Sequence, residues 1–321
     1  MNLGLVIPVW NDQTALTSLL KNIGKLGLFA QIVVVDDGSD VSVVLPQIDV
    51  PDVRLIRQAR AGGPGIARNI GAAQITTSHV LFFDSDDVIT SELSLLWQDL
   101  QDQAFDFCIF RHADSRQIRR GYWGLTEHDS ALWRAAAMVG GRALHRPGPH
   151  AAALLAQTAN YPWNKIWRTD FLRTNDISCS EMRVHEDIAP HWLGFLNAET
   201  ILASDRVAAV HFVAPNANRL TNLQGPERLA VFDPLNHIMS RLAEAPANKA
   251  DLLPAFLNFA CQLLDWIHGN LDPRWHDDLA IGRRAFWQAA VPPARFTMLL
   301  QRDPALALHL TLQMSQEPLA C

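Results

Sequence analysis

The sequence predicts an α/β protein in which a mainly parallel sheet is covered by helices on both faces, followed by a helical C-terminal region. Three observations carry this. Short β-branched apolar runs alternate with stretches of helical periodicity through the first 110 residues. Those runs are apolar at consecutive positions, as strands buried on both faces are. Beyond about residue 222 the pattern changes to helical spacing punctuated by Pro and Gly.

Leu3 to Val9 reads as the first strand, and Leu16, Leu19, Leu20 and Ile23 fall on one face of the helix after it. Gln31 to Val35 is a second strand, closed by the turn cluster Asp36-Asp37-Gly38-Ser39-Asp40. Val53 to Ile56 is a third strand, followed by the Gly-rich loop Ala61-Gly62-Gly63-Pro64-Gly65 and a helix over about 66–76. Val80 to Phe83 is the fourth strand. A helix over about 91–101 and a strand over 105–110 follow. In the C-terminal region Leu252, Phe256, Phe259, Leu263 and Ile267 share a helical face. Trp275 and Trp287 there are more readily core residues than membrane-facing ones.

A chain of 321 residues, 49% of them hydrophobic, can bury one large core or two moderate ones, so a main domain with an appendage is expected. A net charge of −6 gives no broad footprint for nucleic acid. Cys108, Cys179, Cys261 and Cys321 are far apart and contain no C-x-x-C pair, so neither a zinc knuckle nor a disulfide framework is indicated. The first residues lack a basic leader, and no window reaches the ~18 apolar residues of a spanning helix. A cytoplasmic protein is the expectation, with peripheral contact at the inner face of a membrane, or contact with a second subunit, left to the C-terminal region. Residues 111–150 carry Arg111, Arg116, Arg119, Arg120, Arg134, Arg142 and Arg146 and no lysine. They read either as a solvated surface or as guanidinium groups for an anionic acceptor or a diphosphate.

In open sheets of this kind ligands bind at the carboxyl ends of the strands. The polar clusters at 8–12, 36–40 and 84–87 all fall there and are expected to face one crevice. The last is the most telling: Val80-Leu81-Phe82-Phe83 ends in Asp84-Ser85-Asp86-Asp87, three carboxylates in four residues. Repulsion raises the pKa of such a cluster unless a cation offsets it, and an all-oxygen ligand set favours Mg²⁺ or Mn²⁺ over zinc. Aspartates after a strand also make Asx turns or cap helices, and that reading stands beside the metal one.

In ordered blocks over about residues 1–220 the chain resembles the family 2 glycosyltransferases of the GT-A fold. Val6-Ile7-Pro8-Val9-Trp10-Asn11 is similar to their first strand, with Trp10 where an aromatic residue lies against the nucleotide base. Val33-Val34-Val35-Asp36-Asp37-Gly38-Ser39-Asp40 resembles their second strand and turn, whose second aspartate contacts the base. Gly65-Ile66-Ala67-Arg68-Asn69-Ile70-Gly71 looks like the helix before the metal strand, and Asp84-Ser85-Asp86-Asp87 like the DXD motif. Trp163-Asn164-Lys165-Ile166-Trp167-Arg168 and His185-Glu186-Asp187-Ile188 are similar to blocks of bacterial cell-surface glycosyltransferases.

The resemblance implies a nucleotide-binding half over about 1–110, an acceptor-side half over about 111–220 and a helical region over 221–321. It implies a donor site at Pro8, Trp10, Asn11, Asp37, Arg68, Asp84 and Asp86, and Mn²⁺ or Mg²⁺ on Asp86 and Asp87. Asp187 is the implied catalytic base, with Glu186 beside it. His211, in Ala208-Ala209-Val210-His211-Phe212, departs from the tyrosine-rich strand of many relatives; it is either a further metal ligand or a plain strand-end histidine. The implied reaction is inverting, metal-dependent transfer of one sugar from a nucleotide sugar, a UDP-sugar foremost, to a hydroxyl of a saccharide or lipid-linked acceptor in surface polysaccharide synthesis. The Q-x-x-R-W signature of processive synthases is missing, which implies one sugar per encounter.

Three readings of other classes compete. Phe83-Asp84-Ser85-Asp86-Asp87-Val88 satisfies the first motif of haloacid-dehalogenase phosphatases, with Asp84 as nucleophile, but that motif normally opens its fold and here three strands precede it. A nucleotidyltransferase lacks its Gly-rich, lysine-ending signature near the first strand. A non-catalytic protein that binds sugar nucleotides is the remaining option.

Overall fold

The computed structural model describes residues 1–141, 143–213 and 222–315. Arg142, Cys321 and the expected boundary near residue 220 lie outside the described residues. Among the described residues nine strands form one sheet: β1 (Leu3–Val9), β2 (Gln31–Asp36), β3 (Val53–Arg57), β4 (His79–Phe82), β5 (Val88–Ile89), β6 (Phe107–Asp114), β7 (Leu144–His145), β8 (Lys165–Arg168) and β9 (Ile201–His211). The order is β3-β2-β1-β4-β8-β6-β9-β5, with β7 also on β9.

The nucleotide-binding half is parallel: β1 lies between β2 and β4, with Val6 opposite both Val33 and Phe82, and β2 carries β3. The sheet then reverses, because β8 is antiparallel to both β4 and β6. Parallel pairing returns between β6 and β9, while β5 and β7 run antiparallel to β9. The sheet is therefore mixed, parallel in its first half.

Helices fill the connections: α1 (Gln13–Leu26), α2 (Pro64–Gln74), α3 (Glu92–Leu100), α4 (Ser115–Ile118), α5 (Glu127–Ala135), α6 (Pro149–Leu155), α7 (Thr169–Thr174) and α8 (Ile188–Asn197). The C-terminal helices are α9 (Phe232–Ala243), α10 (Leu252–Asn270), α11 (His276–Ala290), α12 (Pro293–Arg302) and α13 (Pro304–Ser315). Helix α2 begins two residues earlier than its periodicity indicates, because Pro64 at its first position brings a preset φ and no N–H to satisfy.

Alternation along β1 divides the core between the two faces of the sheet. Leu3, Leu5, Ile7 and Val9 pack with Leu16, Leu19 and Leu20 of α1 and Leu93 and Leu96 of α3. Val6 points the other way, into a cluster with Ala67 of α2, Trp192 and Phe195 of α8, and Phe256, Leu264 and Trp287 of the C-terminal helices. The C-terminal helices thus continue the core under one face of the sheet. Trp287 is fully buried and its Nε1–H donates to Gln313 Oε1 at 2.8 Å, which makes it a core residue. Among the described residues no helix is long and apolar enough to cross a membrane.

Candidate active site

The carboxyl ends of β1, β2 and β4 converge as their order requires. Pro8 is buried within β1, and Trp10 just beyond it is 49% exposed, a free aromatic face at the rim. Asn11, with a left-handed φ of 52°, ties the first two strand ends together. Its N–H donates to Ser39 Oγ, its side-chain nitrogen donates to Asp40 Oδ2, and its side-chain oxygen accepts from Asp40 N. The side chain expected to bind donor is therefore engaged in holding the turn.

Asp37 does similar work one layer further in. Its carboxylate accepts from the backbone N–H groups of Gly62 and Gly63, both at 2.8 Å, and from the Gln58 amide. Burial still leaves its pKa above the ordinary value. Gly38, at φ +69°, permits this docking, since a Cβ there would sit 2.6 Å from the Arg60 and Ala61 backbone.

Helix α2 then connects the crevice at these strand ends to the Glu186-Asp187 segment. Arg68 is buried and bridges two carboxylates, Nη2 to Asp84 Oδ1 at 2.6 Å and Nη1 to Glu186 Oε1 at 2.9 Å. Burial opposes its charge, but the two carboxylates overcome this and hold its pKa well above normal. The next residue, Asn69, makes a reciprocal pair with the Cys179 backbone, Nδ2 donating to the carbonyl at 2.8 Å and Oδ1 accepting from the N–H at 2.9 Å. Arg68 and Asn69 thus clamp both ends of the 179–187 segment. The resemblance implies Arg68 in the donor site; in the structure its guanidinium is engaged by two carboxylates. Asn69 was not anticipated, and the only signal was its place beside Arg68.

Asp187 stands at the N-cap position of α8 without a side-chain capping bond, and its carbonyl accepts from His191 N. Burial, reinforced by the neighbouring charge of Glu186, pushes its pKa up to about 8, against the pull of Arg68 and Lys165. The preceding His185 has a left-handed φ of 67°.

On the other side of Asp84, the turn from β4 to β5 buries Asp87. Its Oδ1 accepts from Phe212 N at 2.8 Å and lies 3.0 Å from His211 Nδ1, at the end of β9. A carboxylate accepting a backbone N–H fixes His211 with its proton on Nδ1. The imidazole also packs on Trp163 and Tyr161, with ring centroids 5.5 and 4.8 Å away. Asp86, between Asp84 and Asp87, is half-buried.

No group of three His, Cys, Asp or Glu among the described residues is arranged to hold a metal by itself. A hard ion on a diphosphate takes most of its oxygens from phosphate and water and needs only one or two protein ligands. Asp86, Asp87 and His211, the oxygen and imidazole groups expected there, remain the candidates for that role. Asp87, also expected as a ligand, braces His211 and the Phe212 N–H.

The arginines of 111–150 divide. Arg116 pairs with Asp114 through two near-parallel contacts, and Arg119 donates to the Val213 carbonyl. Those two are committed to the local fold.

Comparison with known proteins fits this geometry. Residues 5–157 match the model of glycosyl transferase family 2. Over these residues, just under half of the chain, the sequence is similar to family 2 glycosyltransferases. Poly(ribitol-phosphate) beta-N-acetylglucosaminyltransferase TarS of Staphylococcus aureus is 27% identical over 277 residues, covering 80% of this chain and 44% of that protein. The chain therefore spans less than half the length of that relative. A pre-mycofactocin glycosyltransferase of Mycobacterium tuberculosis is 36% identical over 84 residues, 26% of this chain and 17% of that protein. Among solved structures, S. aureus TarS in complex with UDP-GlcNAc superimposes with a TM-score of 0.75 at 19% identity, covering 98% of this chain and 88% of that one. The shared GT-A fold extends through the C-terminal helices.

Proposed function

We propose that the protein is an inverting, metal-dependent, non-processive glycosyltransferase that moves one sugar from a UDP-sugar to a hydroxyl of a saccharide or lipid-linked acceptor. UDP-GlcNAc is the first donor to test, because the TarS structure with this fold holds it. Surface polysaccharide or glycoconjugate synthesis on the cytoplasmic side of a membrane is the corresponding setting.

The observation that carries this reading is the Arg68 bridge, which fixes the turn bearing Asp84 and the segment bearing Asp187 to one buried cation. Donor crevice and general base are thereby held in register. Pro8 and Trp10 line a slot for the base and ribose, with Asp37 shaping its floor through the glycine loop. Asp86 and His211 would hold Mn²⁺ or Mg²⁺, which when bound supplies Lewis-acid stabilisation of the leaving diphosphate. Asp187 accepts the proton of the acceptor hydroxyl as that oxygen attacks the anomeric carbon and the bond from this carbon to the diphosphate oxygen breaks. A raised pKa near the working pH suits a general base. Attack opposite the leaving group inverts the anomeric centre.

A thermal-shift series with nucleotide sugars, with and without Mn²⁺, tests the reading. A bound donor raises the unfolding temperature by mass action. No shift with any nucleotide sugar would count against it.

A further inference from the structure

Tyr122 and Trp123 stand side by side in the turn after α4, 47% and 57% exposed. Two adjacent large aromatic side chains left in water mark a surface that something covers. The turn holds its own shape. Tyr122 N donates to the Gln117 carbonyl at 3.0 Å, and the Gly124 carbonyl accepts from Asp114 N at 2.9 Å. Gly121 and Gly124 supply the positive φ values, 83° and 155°, that bend it. A Cβ on Gly124 would come 3.1 Å from the Tyr122 ring, so that ring rests on the glycine and is placed before any ligand arrives.

The sheet brings this turn to the crevice. Because β8 is antiparallel to both β4 and β6, strands β6 and β9 end on the same edge as β1 and β4. Asp114 pairs with His211, and the chain leaves β6 at that point. Two bonds then tie it to the residue two beyond His211: Ser115 Oγ accepts from Val213 N at 2.8 Å, and Arg119 Nη1 donates to the Val213 carbonyl at 3.2 Å. In the strand order the nucleotide slot at β1 and β2 lies to one side of β4, and the aromatic turn lies to the other.

We propose that Tyr122 and Trp123 form the acceptor subsite, a platform on which the acceptor saccharide stacks; this rests on the glycosyltransferase reading. A sugar ring has a slightly positive face of C–H groups and a rim of hydroxyls. Aromatic rings offer a negative face to the first, and phenol and indole each bring one polar group to the second. Such stiff side chains lose little entropy when covered. A lipid surface also takes exposed Trp and Tyr, but the charges here oppose it. Arg116 and Arg119 are engaged by Asp114 and the Val213 carbonyl, which leaves Arg120 as the turn's uncommitted cation among the described residues. That is short of the ~4–8 basic residues that hold an anionic membrane, and Asp84, Asp86 and Asp87 on the same edge repel one.

Fluorine NMR on the whole chain carrying fluorotryptophan tests this, with Trp123→Phe assigning the signal. With UDP and Mn²⁺ present, the probes are methyl β-glucoside, methyl β-N-acetylglucosaminide, cellobiose and diacetylchitobiose. At least one of them should move the Trp123 signal saturably. Tyr122→Ala should weaken binding of that saccharide about tenfold. Its Mn²⁺-dependent UDP affinity, by calorimetry, should stay at the wild-type value, as a misfolded variant's would not. A Trp123 signal that no saccharide moves, in a chain that binds UDP, overturns the inference and spares the reading beneath it. A signal moved by phosphatidylglycerol vesicles and by no saccharide overturns it in favour of a membrane contact. A wild-type chain that binds no UDP removes the glycosyltransferase reading, and the inference with it.

Discussion

Arg68 Nη1 and Glu186 Oε1 meet at 2.9 Å across 118 residues of sequence, and the same guanidinium holds Asp84 at 2.6 Å. Removing it leaves two carboxylates facing each other with little water. Arg68→Ala should cost about 3–5 kcal/mol of stability, the usual result of breaking a buried ion pair from one side. Arg68→Lys should recover only part, because a single ammonium lacks the planar fork that reaches both partners. Urea unfolding of the two variants measures this; a cost under about 1 kcal/mol for Arg68→Ala would refute the clamp.

Asp187→Asn keeps the shape of the side chain and removes its basicity. Transfer should fall about 10²–10⁴-fold while UDP affinity with Mn²⁺ stays near wild type. If the variant keeps most of its turnover, the base lies elsewhere.

Asp87 and His211 act in series in this account. His211→Ala should weaken Mn²⁺-dependent UDP binding directly, and Asp87→Asn should weaken it about 10–100-fold by releasing the imidazole. Calorimetric titration with and without Mn²⁺ separates the two. Equal affinity in wild type and both variants would take them out of the metal site.

Gly65 sits where a Cβ would meet the Ser180 carbonyl at 2.4 Å and Glu186 Cβ at 2.9 Å. Gly65→Ala should therefore push the Glu186-Asp187 segment away from α2. The expected outcome is a lowered unfolding temperature and a loss of turnover larger than the loss of UDP affinity. Turnover at the wild-type level in Gly65→Ala would show that the segment tolerates displacement.

His112 is buried against Tyr161 and Trp163, with neither ring nitrogen hydrogen-bonded, and burial lowers its pKa to about 3. In the unfolded chain it titrates at about 6.5. Between those values the unfolded state binds the extra proton, so stability is full above the upper value and is lost as pH falls through the window. His112→Phe removes that proton uptake, and its urea midpoint should decline less steeply than wild type between about pH 6.5 and 4. Parallel declines would place a proton on His112 in the folded protein.

The parallel half of the sheet was legible because β1, β2 and β4 announce themselves by uninterrupted apolar residues closed by turn clusters. The reversal at β8 was not, since Lys165–Arg168 is too short for periodicity and its direction depends on partners far along the chain. Strand β9 was visible only near its end, at 208–212, although it begins at Ile201. The carboxylate cluster at Asp84, Asp86 and Asp87 stood out in the sequence because such residues are costly without a purpose. Which atom each carboxylate engages was hidden: Asp37 and Asn11 hold loops and Asp87 holds His211, because those partners belong to other segments. The pairing of Asn69 with Cys179 left no local signal.

The most direct test of the account is calorimetric titration of UDP, with and without Mn²⁺, into the wild-type chain and Asp86→Ala. The account predicts saturable binding to wild type that depends on the metal and is lost, or reduced at least tenfold, in the variant. No binding of UDP to wild type, or binding of equal strength in both proteins and indifferent to Mn²⁺, would contradict it.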